Sequence, residues 1–385
     1  MKQGWTYKKL GDCFPYIKNG ANIKQIKGAD GLPITRIETL SGGVFNRDRM
    51  GYAGIYNLDK YSDYVLEDGD LLLSHINSKT YIGRTVEYRA KNDETIIHGM
   101  NLLRLKSNSK VINSSFFAYY TLSNDFKTNV AKIRKDAVNQ SSIAISDIRK
   151  FSIPVPPIQS QQYIVAELDK INELIRLKKE QLKDYDNLAQ SIFYEMFGDK
   201  KYERRKLKNI VKVKSGQVSP LEDPYCDMVH VGPANIESNT GRLINLTTAK
   251  EENLISGKYL FDSSMVLYSK IRPNLNKVTI ADFEGICSAD MYPLIPSKSI
   301  DKKFLLFILK QKEFLSYAIA NSGRANIPKI NREALLEYST ILPPLSLQLQ
   351  FAERLALIEQ QKAEIKSTMA DLETLLASRM QYWFD

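Results

Sequence analysis

Phe151-Ser-Ile-Pro-Val-Pro-Pro-Ile-Gln-Ser-Gln161 decides the architecture, because the same string returns as Tyr338-Ser-Thr-Ile-Leu-Pro-Pro-Leu-Ser-Leu-Gln348. Both read aromatic, Ser, three residues ending in an aliphatic, Pro-Pro, aliphatic, two residues, Gln. No other Pro-Pro pair occurs in the chain, and the two lie 187 positions apart. Further pairs fall in the same order: Lys8-Lys9-Leu10 with Arg205-Lys206-Leu207, Tyr64 to Ile76 with Tyr259 to Ile271, and Asn139 to Ile143 with Asn326 to Ile330. The offset drifts from 197 to 187 along the chain while the order holds, so loops differ in length and the elements repeat.

A double proline stops one element and can open a helix at the next. After each one the apolar residues alternate at spacings of four and three. The first seam is Ile164, Leu168, Ile171, Ile175, Lys178, Leu182, Tyr185, Ala189, Ile192 and Met196. Adding 187 gives the second: Phe351, Leu355, Ile358, Lys362, Ile365, Met369, Leu372, Leu376, Arg379 and Trp383. That is one coiled-coil seam written twice in the same register, each with a polar interruption. An isolated helix of this kind is marginal in water, so the two are expected to pack on each other. Antiparallel pairing would put one globular segment at each end of the pair and give a pseudo-two-fold internal repeat.

The expected fold is mixed α+β (α/β), with two similar globular domains separated by two long helices that form an antiparallel coiled coil. The expected boundaries are 1–158 for the first domain, 159–200 for the first helix, 201–345 for the second domain and 346–385 for the second helix.

Charge follows that map. The 385 residues carry a net charge of +10. The two globular segments carry +8 and +6, and the two helical segments −2 each. Excess positive charge on the globular segments suits a polyanion. No run of 18 apolar residues exists, so no membrane span is expected. Three scattered cysteines without a C-x-x-C pair fit a reducing, cytoplasmic setting.

In each globular segment an apolar run turns into polar side chains suited to phosphates and base edges. The first set is Ser74, His75, Asn77, Lys79 and Arg84, and its counterpart is Ser269, Lys270, Arg272, Asn274 and Lys277. A later set precedes each Pro-Pro: Lys135, Asn139 and Gln140, then Arg324, Asn326 and Lys329. These are the candidate DNA-binding residues.

Signals for catalysis are missing. Asp223-Pro224-Tyr225 lacks the second proline of an amino-methyltransferase loop and reads as a turn. There is no G-x-x-x-x-G-K-[S/T] phosphate loop, and His75, His98 and His230 form no H-x-x-x-H metal pair. No catalytic or metal-ligating residue is expected.

With the duplicated Pro-Pro-aliphatic-x-x-Gln motif, Val266-Leu-Tyr-Ser-Lys-Ile-Arg-Pro-Asn-Leu-Asn-Lys277 and Gly323-Arg-Ala-Asn-Ile-Pro-Lys-Ile330, the chain resembles the specificity subunits of type I restriction-modification systems over its whole length. The first half departs from this pattern at Ser74-His-Ile-Asn77 and Asn139-Gln-Ser141. The resemblance implies a non-catalytic reader of double-stranded DNA that binds an asymmetric bipartite target. Partners would be two methyltransferase subunits, which methylate one adenine per half-site, and motor-nuclease subunits. S-adenosylmethionine, ATP and magnesium would belong to those partners, with no cofactor in this chain. The competing readings are a free-standing DNA-modifying enzyme and a structural adaptor without DNA binding.

Overall fold

The computed structural model describes residues 4–138, 140–198, 201–323 and 326–385. The chain divides into two compact units. One holds 1–180 with 366–385, and the other holds 181–365. Each unit therefore takes half of both long helices with it, where the sequence reading set the helices apart as separate segments. The cause is hydrophobic: the helix ends supply core residues. Phe384 is buried in the core of the first unit, and Phe197 and Phe351 in that of the second.

Each unit is built on the same antiparallel sheet. In the first, the strand order is Tyr16–Asn19, Leu102–Lys106, Leu71–Ser74, Thr85–Glu87. In the second it is Val211–Val213, Met291–Pro296, Val266–Ser269, Val278–Thr279. The repeat seen in the sequence is thus a repeat of topology. The matched Leu10 and Leu207 are both buried, and their amides donate to Phe151 O at 2.7 Å and Tyr338 O at 2.9 Å. Each follows a short strand paired antiparallel with the strand leading into the Pro-Pro motif: Thr6–Lys9 with Ser152–Val155, and Arg204–Lys206 with Ser339–Ile341. Beyond this frame the units differ. The second adds a five-stranded sheet containing one parallel pair, Val229–Val231 with Gly285–Cys287. The first instead folds 21–66 mostly into 3-10 turns and isolated bridges.

The long helices run Ile158–Phe197 and Leu345–Phe384, 40 residues each. At about 1.5 Å per residue each is about 60 Å long. Gln161 and Gln348, one turn in, are fully buried. The Gln161 side chain accepts from the Asn113 amide at 2.7 Å and donates to Val111 O at 2.9 Å and Pro156 O at 2.8 Å. Gln348 accepts from the Asp301 amide at 2.9 Å and donates to Ser299 O at 3.0 Å and Pro343 O at 2.7 Å. The motif's glutamine ties the helix start to a loop of its own unit, meeting the need of buried backbone groups for partners.

Helix pairing is antiparallel within each unit. In the first, Glu167 accepts from Arg379 at 3.1 Å and from the Trp383 indole at 2.7 Å, and Tyr163 faces Trp383. In the second, Lys362 meets Asp186 at 2.8 Å and Phe193 meets Phe351. Numbers rise along one helix as they fall along the other. The seam residues Ile164, Leu168, Ile171, Ile175, Phe351, Ile358 and Ile365 are buried. Leu182, Ile192, Leu355, Met369, Leu372 and Leu376 are half-buried. Leucines off the seam (Leu174, Leu177, Leu188, Leu357 and Leu375) are exposed. No helix among the described residues is long and apolar enough to cross a membrane.

Candidate nucleic-acid interface

In the second unit the buried strand Val266–Ser269 runs out into a loop that ends at Lys277. Ser269 is buried and its hydroxyl donates to Ile271 O at 3.1 Å, so it is not available to DNA, contrary to the sequence reading. Lys270 donates to Ala289 O at 2.6 Å and lies beside Asp290 and the Tyr292 ring. The Lys277 ammonium donates to Pro233 O at 2.7 Å. Arg272 and Asn274 are exposed. The loop docks on the segment before the second Pro-Pro: the Ile330 amide donates to Lys270 O at 3.0 Å, and the Arg272 amide to Pro328 O at 2.7 Å. Exposed Asn326 and Lys329 therefore belong to the same surface as Arg272 and Asn274.

The first unit repeats the device with different side chains. Strand Ile76–Asn77 pairs with Ser141–Ser142, which pairs with Lys135–Asp136. The Ile143 amide donates to His75 O at 2.9 Å, the counterpart of the bond from Ile330 to Lys270. Ser74 and His75 are buried, which removes both from the candidate DNA contacts. Burial pushes the His75 imidazole down to about 4, against a backbone hydrogen bond with Asn101 that favours the charged form. For Ser74 the reason is its strand: 71–74 is buried on both faces, so no residue of it reaches solvent.

Asn77 spends its carboxamide locally, donating to Ser74 Oγ at 3.0 Å and accepting from the Ser78 amide at 2.7 Å. The Arg84 guanidinium donates to Leu40 O at 3.3 Å and stacks over the Tyr81 ring, 4.4 Å from its centroid. Lys79, near Asp136 at 3.7 Å, is exposed, as are Lys135 and Gln140. Asn139 and Arg324 lie outside the described residues. The sequence reading missed exposed Tyr81 and Val138, the latter 98% exposed between the two ribbon strands. A lone tyrosine or valine carries no sequence signal of its own.

The arrangement can bind but shows no reaction chemistry. It offers cations, amides and backbone groups, which position phosphates and read base edges. Among the described residues one group has metal-ligand proximity, Asp223, Cys226 and Asp227 on a turn, and it includes none of the candidate residues.

A buried two-part frame, repeated, carrying basic loops of differing sequence, defines a DNA-reading protein with two recognition units. The family profile for the type I restriction modification DNA specificity domain matches residues 2–184 and 199–372, and the chain belongs to that family. As a specificity subunit it selects the DNA target and works with other restriction-modification subunits, on which catalysis resides.

It is 28% identical, over 93% of its length and 88% of the relative's, to a protein of Methanocaldococcus jannaschii assigned provisionally as the type I restriction enzyme MjaX specificity subunit. It is 39% identical to the EcoDI specificity subunit of Escherichia coli over 38% of this chain and 32% of that one. Among solved structures, the type I specificity subunit of M. genitalium matches with a TM-score of 0.57 at 15% identity, covering 98% of this chain and 95% of that one. A chain from a structure of the assembly and conformational transition of a type I system matches with a TM-score of 0.57 at 16% identity, covering 100% and 98%. At such identities these likenesses speak to the fold.

Proposed function

We propose that each globular unit reads one half of an asymmetric bipartite DNA target, and that the chain thereby directs adenine methylation by two methyltransferase subunits. Motor-nuclease subunits would add restriction. S-adenosylmethionine would be held by the methyltransferase partners, and ATP and magnesium by the motor-nuclease partners. The observation that supports this reading is a single device built twice: the strand-to-loop segments 74–84 and 269–277, each docked on the segment before its own Pro-Pro, with unlike exposed side chains. Unlike side chains on a like frame suit unlike half-sites.

Grooves that face one side of B-DNA recur about every 10 base pairs, or roughly 34 Å. The expected target is two short specified blocks centred about one turn apart, with the gap ruled by the helix pair. Long-read methylation mapping of the host genome with and without the gene tests this. Loss of one split motif on deletion is expected, and a single continuous motif would overturn the reading. Methylation or cleavage of DNA by the pure chain given S-adenosylmethionine, ATP and magnesium would favour the free-standing enzyme instead.

A further inference from the structure

Among the described residues, every non-glycine with positive φ is an asparagine except Arg272. Arg272 sits at φ 46°, ψ 62°, and Asn276 at φ 46°, ψ 54°, on either side of the single turn Pro273–Leu275. The left-handed region suits glycine and is tolerated by asparagine, whose short side chain bonds locally, but it disfavours arginine. Such strain persists only where the surroundings over-determine it, and it gathers at functional sites.

The surroundings here do over-determine it. The Arg272 amide is held by Pro328 O at 2.7 Å, and Arg272 O accepts from the Leu275 amide at 2.9 Å. Leu275 O accepts from the Asn239 amide at 3.2 Å, and Lys277 is tied to Pro233 O. Asn276 closes the loop. It is 8% exposed, and its carboxamide donates to Lys310 O at 3.3 Å, at the end of the helix Lys302–Lys310. The Arg272 side chain makes none of these anchors and is exposed.

We infer that Asn276 is a positioning residue for base reading in the second half-site: its left-handed backbone and its bond to Lys310 aim the strained Arg272 at a base edge. The inference rests on the reading that the second unit contacts DNA through this loop. An arginine held in one direction discriminates between bases, whereas one on a slack loop finds any phosphate.

Three variants in the full complex with its methyltransferase subunits test it: N276G, N276D and R272G. Glycine keeps the left-handed turn and loses the anchor. Aspartate tolerates the turn but cannot donate to Lys310 O. Binding is measured on duplexes carrying the mapped target or single mismatches in either half-site, with the melting temperature and salt slope of each variant.

N276G and N276D are expected to lose roughly tenfold discrimination at one position of the second half-site, within the range of a bidentate base contact. Discrimination in the first half-site and the salt slope should not change. R272G is expected to lose the same discrimination while melting at or above the parent, because glycine relieves the strain. If R272G alone loses it and both Asn276 variants keep it, the positioning role is wrong and the DNA reading stands. A uniform loss over all duplexes in the Asn276 variants would make the residue merely structural and likewise overturn the inference. Parental discrimination in R272G would refute the DNA reading of the loop and the inference with it.

Discussion

Lys362 Nζ lies 2.8 Å from Asp186 Oδ1 on the facing helix and 2.8 Å from Glu359 on its own. A lysine in an apolar seam lowers stability and specifies register. Lys362→Met should therefore stabilise the second unit by about 1 kcal/mol, since a packed hydrophobe commonly outdoes a partly buried pair. Thermal melting checks the gain. A lower melting temperature would mean that the pair is a net stabiliser.

The seam and the outer face of one helix should respond in opposite ways. Ile171 is 7% exposed and Leu174 is 40% exposed. Ile171→Asp buries a charge without a partner and should cost several kcal/mol, abolishing assembly with the methyltransferase subunits. Leu174→Asp should change folding stability by less than about 0.5 kcal/mol. Equal melting temperatures for the two variants would contradict the helix packing.

Replacing Gln161 by Leu leaves the Asn113 amide and two carbonyls without their buried partner. The expected loss is about 2–4 kcal/mol in urea unfolding, with the same result for Gln348→Leu in the second unit. A loss under about 1 kcal/mol at both positions would show that the motif is kept for another reason.

Lys277 and Lys329 should part company in salt titrations of DNA binding. Lys329 is exposed beside Arg272, so Lys329→Ala should flatten the salt slope by about one unit. Lys277 is tied to Pro233 O, and Lys277→Ala should lower stability by about 1 kcal/mol with the slope unchanged. The reverse pattern would place the DNA on the other side of the loop.

The chain has three histidines, and His75, His98 and His230 are all buried. Burial pushes His75 and His98 down to about 4 and lowers His230. Unfolded chains take up these protons near 6.5, so between pH 6.5 and about 4 the unfolded state binds more protons than the folded one. The contribution of His75 and His98 to stability should accordingly be full above pH 6.5 and fall as pH drops through that window. Imidazole proton shifts of the folded protein should show His75 and His98 neutral at pH 5.5, and protonation of either near 6.5 would refute its burial.

What was legible in the sequence was whatever depends on local period and residue class. The four-three spacing placed Ile164 to Met196 and Phe351 to Trp383 on single helix faces, because a side chain's face is set by its own helix geometry. The repeated Pro-Pro-x-x-x-Gln string disclosed the internal duplication, and the charge split marked the basic segments. Tertiary structure alone decided which polar residues reach solvent. Ser74, His75 and Ser269 looked like the polar ends of strands and are buried, while Lys277 and Arg272, five positions apart and alike in charge, point to different fates. Their fates hang on Pro233 O and Pro328 O, groups 44 and 56 residues away in the chain. A hydrogen bond to a distant carbonyl leaves no mark on local composition, so only the folded chain could show it.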